Sequence, residues 1–534
     1  MSEVRAQGAG PRGARSRGAQ SRGACVLAAA LVPAAGAIAQ TPAQTPAQVA
    51  VQAPAATAAA GVAHREATLH EARTLAWAGR FADACVRYDA WLRVHPDDAE
   101  AQLARARTLA WAHRYAAAAA AYAALRRSPD TAAAREAAKG EAQLTAWRGD
   151  LSGAAAAWRT LAAAAPEDAE VWVGLGQTLR WAGDPAGADA ALRRAAALAP
   201  ARPDVAEQRR WLWPDLVGTA TPATTHLSDS DGNRVTVARL VVALPPLGPA
   251  TTTVTASRLG AALGGVRSAS TRAVATVRVP VGAAAVSADL GAAYLAGRGP
   301  QASATSGGAV LGVAGLRGTL RLANGSSFTL GAARAPFDET ARLAAARVWT
   351  GAAFAAADLR AGPVGAALSG EWASVHGASG ANRRTSGTAE LRGRVPLGRS
   401  SPANGERPAH LDLFGAARAH GYARATTDGY FAPRAMTLAE VGARLHTGGA
   451  LGWQVDGEAA AGRQRVALWD QNGPDGRAAL RGGVGVAYRF APGAEVGGRA
   501  TRTTASSPGL GAGGAAYVAT TVALEVRVPL RTYR

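Results

Sequence analysis

Lysine is all but absent from this sequence: of 58 basic residues only Lys139 is not arginine. The arginines are spread along the whole chain without a dense block. A net charge of +20 by itself points to nucleic acid or an anionic membrane. Without a basic cluster that reads as a phosphate track, no nucleic-acid partner is expected. Cysteine is nearly missing too, with Cys25 and Cys85 the two that occur. Cys25 falls in a segment expected to be removed, so no intramolecular disulfide is expected. No uninterrupted run of about 18 apolar residues crosses the chain, which excludes membrane helices. A β-barrel is then the only way left to span a bilayer.

Catalytic signatures are also lacking. The 9 histidines show no HExxH and no Cys/His ligand spacing, and no GxSxG elbow presents a serine. His410, nine residues beyond Ser401, and His446 are the nearest approach to a wall-borne Ser-His pair. Gly174-x-Gly176 lies inside a helical repeat and reads as packing. The expectation is a protein that is not an enzyme, with no cofactor and no metal.

The N-terminus carries Arg5, Arg12, Arg15, Arg17 and Arg22 ahead of an apolar stretch from Cys25 to Ile38. Ala37-Ile38-Ala39 before Gln40 fits a small-x-small cleavage site, so residues 1–39 read as a signal peptide. Residues 40–62, rich in Pro, Ala and Gln, read as a flexible linker.

From 63 to 214 a repeat appears. RTLAWA occurs at 73–78 and again at 107–112, a period of 34. Trp77, Trp111, Trp147 and Trp181 mark one point in four units. Large side chains Tyr88, Tyr122, Trp158 and Leu192 follow, and small Ala84, Ala118, Ala154 and Ala188 hold a third position. Gly79, Gly149 and Gly183, with His113 in place of the fourth, fall between paired helices. Pro96, Pro129, Pro166 and Pro200 close the units. This pattern resembles the tetratricopeptide repeat (TPR), best in the fourth unit with Trp172, Leu175, Gly176, Ala188 and Pro200. The four recurrent tryptophans, with Tyr88, Tyr122 and Trp158, are expected to pack between helices. A final helix around 205–213 is expected to cap the stack.

Beyond 215 the helical period gives way to a period of two. In TVALEVRVPL (521–530) one face carries Val522, Leu524, Val526, Val528 and Leu530; the other carries Ala523, Glu525 and Arg527. RAVATVRVPVG (272–282), TAELRGRVPLG (388–398) and GGVGVAYRF (482–490) repeat the alternation. Apolar outside and polar inside is the pattern of a transmembrane barrel strand, and about sixteen such segments, with fourteen as the alternative, fit residues 215–534. With only 7 Phe and 2 Met in the chain, a soluble two-sheet sandwich lacks core residues. Corners such as 279–282, 395–398, 490–493 and 528–530 end even-numbered strands and are expected at the periplasmic side. The tracts 399–408 and 470–476 are expected to be outer loops. Alternation places Arg278, Arg394, Arg489, Arg527, Glu390 and Glu525 in the lumen. They form either a basic girdle for substrate or Arg–Glu braces in the wall.

Four helical units ahead of a barrel resemble the BcsC-type subunits that secrete cellulose and other exopolysaccharides, and the related YaiO-type outer-membrane proteins. ARTLAWAGRF (72–81) is similar to repeats of that group. FTLGAARAPFDET (328–340) and DGYFAPRAM (428–436) resemble its barrel segments, with Glu339 and Ala432 where the group often has Ser. The resemblance implies a barrel that exports a polysaccharide, with the arm in the periplasm as guide or dock for a protein partner. The group's exporters carry many more repeats, and four units favour the YaiO side. On that reading Arg334, Asp338, Trp372, Tyr430 and Phe431 are candidate sugar contacts. The alternative is a porin-like or structural barrel with no glycan substrate.

Overall fold

The computed structural model describes residues 46–298, 308–322, 324–397, 409–470, 472–506 and 517–533, with side chains from Gly61 onward. Residues 1–39, expected as a signal peptide, lie outside these residues. The helical arm comprises α1 (Pro46–Trp77), α2 (Phe81–Val94), α3 (Ala99–Trp111), α4 (Tyr115–Leu125), α5 (Thr131–Trp147), α6 (Leu151–Ala164), α7 (Ala169–Ala182), α8 (Pro185–Leu198) and α9 (Pro203–Val217). Residues 46–62, expected as flexible linker, are helical at the start of α1, because alanine favours helix more than proline and glutamine break it there.

Each turn between paired helices needs a left-handed residue. Gly79, Gly149 and Gly183 supply it with φ of 73°, 97° and 80°, and His113 adopts it at 57° without being glycine. Between units, Asp98, Asp130 and Asp168 cap the helices that follow by accepting backbone N–H bonds. Ala84, Ala118, Ala154 and Ala188 are fully buried, which lets the paired helices close. Tyr88, Tyr122, Trp158 and Leu192 are buried between units. Glycines of the next unit receive two of these rings: a Cβ on Gly140 would meet Tyr122 at 2.4 Å, and one on Gly174 would meet Trp158 at 2.5 Å. Gly174 is thus a packing glycine.

The recurrent tryptophans depart from expectation. Trp77 is 54% exposed and Trp147 39%, while Trp111 and Trp181 are half-buried. Trp77, Trp111 and Trp147 are each the last residue of their helix and Trp181 is next to last, so their rings overhang the end of the packed interface.

The barrel strands are β1 (Thr219–Asp229), β2 (Arg234–Ala243), β3 (Thr251–Leu263), β4 (Val266–Val281), β5 (Ala284–Arg298), β6 (Ala309–Arg321), β7 (Ser327–Pro336) and β8 (Trp349–Ala361). Then come β9 (Val364–Gly377), β10 (Gly380–Pro396), β11 (His410–Tyr422), β12 (Ala435–Gly448), β13 (Gly452–Ala467), β14 (Asp475–Ala491), β15 (Ala494–Thr503) and β16 (Ala519–Pro529). Neighbours pair antiparallel throughout, and β1 pairs with β16 to close the barrel at sixteen strands. Even strands therefore run back toward the end where the arm joins, here the near end. The corners at 279–282, 490–493 and 528–530, and the described part of 395–398, all lie there. Residues 470 and 472–476 lie at the far end as expected. The tract 399–408 lies outside the described residues; the ends of β10 and β11 on either side of it are at the near end.

The arm is fixed to the near rim. Trp213 in α9 donates its indole N–H to the Arg531 carbonyl at 2.8 Å and meets the Tyr533 ring edge-on at 5.6 Å. Gly218, at φ 80°, lets the chain turn into β1; a Cβ there would sit 2.2 Å from the Ala243 carbonyl oxygen. A Cβ on Gly493 would strike Pro214 at 2.6 Å.

Candidate functional site: the lumen and its far mouth

Register fixes which side chains share a face. Arg489 opposes Glu495, which opposes Arg527, and Ala223 separates Arg239 from Glu525. Carried round the sheet, this puts Arg278, Arg394, Arg489, Arg527, Glu390 and Glu525 on the lumenal face. The opposite face carries Leu290, Val310, Leu330, Val441 and Leu524, all strongly exposed, as lipid requires.

The lumen has two unlike walls. On β8 to β15 the charges are paired with one another. Arg392 meets Asp358 at 2.6 Å, and Arg444 holds Glu390 by two bonds of 2.8 Å. Arg481 joins Glu440 at 2.7 Å to Glu458 at 2.6 Å. Arg394 clamps Asp412 at 2.9 and 3.1 Å, and Arg489 meets Glu495 at 2.7 Å. Two of the four predicted girdle arginines are thus braces in the wall. On β1, β3 and β4 hydroxyls prevail: Thr221, Thr225, Thr251, Thr253, Thr255, Ser257 and Thr276 face inward, while β2 turns Val235, Val237 and Val241 inward and its Arg239 meets Glu525 at 3.6 Å.

At the far end the connection between β7 and β8 (residues 337–348) turns into the barrel. Its short helix α10 (Ala341–Ala345) packs on lumenal Val235, Ala261 and Val266 of β2, β3 and β4. Phe337, Leu343 and Val348 meet Val375 of β9, Tyr422 of β11 and Tyr430. The segment therefore crosses the mouth. Buried Asp338 anchors it to Arg272 at 2.8 Å. Residues 423–434 form a second inward loop: Asp428 accepts from the Ser379 N–H at 2.9 Å, and Asn382 donates to the Arg424 carbonyl at 2.9 Å. Phe337 and Tyr430 meet with ring centres 5.7 Å apart.

Several candidate sugar contacts therefore stand elsewhere than expected. Trp372 sits at an even position of β9, whose odd positions face the lumen, so its half-exposed ring points outward. Arg334 likewise points outward, 4.2 Å above the Trp349 ring, which stacks on His376 at 3.9 Å. Asp338 and Tyr430 are buried inside the mouth loops, where they hold the loops and do not line a free path. Phe431 packs, half-buried, against Met436, Leu438 and Val466.

Sequence reading missed one cluster. His410 and Asp412 share a face of β11, and register puts His446 of β12 opposite His410, their rings 4.9 Å apart. One ligand atom from each of the three lies within 4.8 Å of the others. The His-x-Asp spacing was visible; the partner 36 residues on was not. Arg394 already engages both Asp412 oxygens, so a metal ion would have to displace a guanidinium.

No family model and no curated protein matches the chain. Among solved structures, a bacterial polysaccharide outer membrane secretin is similar over 59% of this chain and 99% of its own, at 15% identity and a TM-score of 0.44. Pseudomonas aeruginosa OccK2 (OpdF) covers 59% of this chain and 97% of its own, at 10% identity and 0.33. A thermophilic TPR protein of Thermus thermophilus covers 28% of this chain and 80% of its own, at 21% identity and 0.25. At these values the likenesses carry no functional argument.

Proposed function

We propose that the chain is an outer-membrane barrel, without enzymatic activity, that passes a hydroxylated polymer outward, with its near end and TPR arm in the periplasm. One observation carries this reading. The lumen pairs a wall of hydroxyls with a wall whose charges are largely neutralised among themselves, inside a barrel whose outer face is apolar. Hydroxyls donate and accept to a neutral polyol, whereas braced carboxylates and guanidinia offer little net field to a small ion. An exopolysaccharide, cellulose-like in being neutral and rich in hydroxyls, suits such a passage. The fixed joint between α9 and the near rim suits an arm that holds a periplasmic protein at the entrance.

The test is deletion of the gene in its own cells, with surface and periplasmic glycan measured separately. The reading expects surface glycan to fall at least tenfold while polymer accumulates inside. Unchanged surface glycan would overturn it. A porin-like barrel is the second reading, and the shared lumenal Arg278 and Arg527, outside the ion pairs described above, favour it. It expects anion-selective conductance in planar bilayers that Arg278→Gln and Arg527→Gln abolish.

A further inference from the structure

The outward face of the barrel has an uneven charge pattern. Register places every strand-borne carboxylate on the lumenal side: Asp289, Asp358, Glu371, Glu440 and Asp475 behave like the acids already described. No outward position of any described strand carries Asp or Glu. Arginine does not follow this rule. Arg234, Arg267, Arg334, Arg383, Arg465 and Arg502 all point outward, all are exposed, and each stands within three residues of the far end of its strand. On the same face Arg463 lies one row below Arg465 and Arg258 two rows below Arg234. They come from β2, β3, β4, β7, β10, β13 and β15, so the belt runs round the barrel. Among the described residues none of them has an ion-pair partner.

The near end has no counterpart. Its outward positions are apolar, as in Val279, Leu320, Val395, Val526 and Val528, with Trp453, Tyr488 and Phe490 clustered there at ring distances of 5.0 and 5.2 Å. A general excess of arginine in the chain would have supplied both ends alike.

A row of unpaired guanidinia just above an apolar band sits at the depth of lipid headgroups. The planar fork of arginine matches phosphate oxygens two at a time. An adjacent carboxylate would repel that phosphate, and no outward position of the described strands carries one. One member is held in place: Arg334 lies over Trp349, itself stacked on His376.

We infer that the far rim binds the phosphate groups of an anionic lipid leaflet, one whose headgroups carry phosphate monoesters. The inference rests on the membrane-spanning reading, and it assigns the far end to the leaflet richer in phosphate.

The full chain is refolded into phosphatidylcholine vesicles that contain either bis-phosphorylated lipid A or its dephosphorylated form. Insertion is read from heat-modifiable gel mobility, and stability from the rate at which the folded band disappears in urea. Phosphorylated lipid is expected to slow unfolding at least tenfold relative to the dephosphorylated form. One molar salt should remove most of that gain by screening. Arg334→Gln combined with Arg383→Gln and Arg465→Gln should reduce the gain to threefold or less. If that variant does not fold, the phosphate and salt arms on the natural chain still decide. Insertion into neither vesicle defeats the membrane reading itself. Insertion into both with equal unfolding rates, or a variant that keeps the full gain, overturns the arginine belt alone.

Discussion

In the helical arm the large apolar side chains point away from water: Tyr88, Leu109, Leu144 and Leu192 are all buried. In the barrel the same kinds of residue point outward, and Leu290, Val310, Leu330 and Val441 are each more than two-thirds exposed. Nothing in propensity distinguishes the two sets. What differs is the solvent for which each half is built. The arm hides hydrocarbon from water, at about 25 cal/mol per Å² removed. The barrel presents hydrocarbon to lipid and hides charge in a lumen where ion pairs answer one another.

That contrast is broken most strongly by a charge placed on the lipid side. Val441 lies midway along β12 and faces outward; Val441→Arg is expected to destabilise the barrel by about 2–4 kcal/mol in bilayers. The same exchange at Val86, also exposed but on the aqueous arm, should change stability by no more than about 0.5 kcal/mol. Urea titrations followed by gel mobility for the barrel and far-UV dichroism for the arm give both values. Equal effects at the two positions would refute the difference in solvent.

The arm has its own buried charge. Lys139 is buried and bonded to Glu136 at 2.7 Å, Asp168 at 2.7 Å and Glu170 at 3.0 Å. Burial opposes its charge, but the three carboxylates outweigh burial and raise its pKa. Lys139→Ala leaves those carboxylates facing one another and should cost the arm about 2 kcal/mol, discounted for their partial exposure, with barrel mobility on gels unchanged.

A smaller effect follows from pH. Bonds from Arg65, at 2.7 and 2.8 Å, hold the Asp98 carboxyl down at about 2 against burial, which pushes it up. A depressed folded pKa adds stability above the unfolded value near 4, and that stability is lost as pH falls toward 2. The arm should lose about 2 kcal/mol across that window, and Asp98→Asn should flatten the profile. Last and least, His113→Gly relieves the left-handed strain at φ 57° but loses the contact of His113 Nδ1 with the Tyr115 hydroxyl at 2.7 Å. A net gain of about 0.5 kcal/mol in arm stability is expected.

Much of this was legible in the sequence because it is periodic. The 34-residue period located Tyr88, Tyr122 and Trp158, and the period of two sorted the faces of β4, β10, β14 and β16. Periodicity failed where one signature serves two geometries. A tryptophan that recurs once per unit looks the same whether it fills an interface or, like Trp77, overhangs a helix end. Trp372 went to the wrong face because a one-residue slip inverts a strand, and GEWASVH lacks a clean alternation to pin it. The mouth loops were not legible at all. Asp338 finds Arg272 across the lumen, 66 residues away, and no local pattern announces that pairing. Tyr533 also gains meaning only from its partner Trp213 at the rim.

The most direct test exploits β12, with Cys25 and Cys85 first replaced by Ala. Single cysteines at positions 439 to 444 are labelled with a fluorophore in the barrel reconstituted into vesicles. Quenching is then compared for a lipid-dissolved and a water-dissolved quencher. Positions 439, 441 and 443 should respond to the lipid quencher, and 440, 442 and 444 to the aqueous one. A uniform response along the strand, or the opposite alternation, would contradict the assignment of lipid and lumen on which the rest is built.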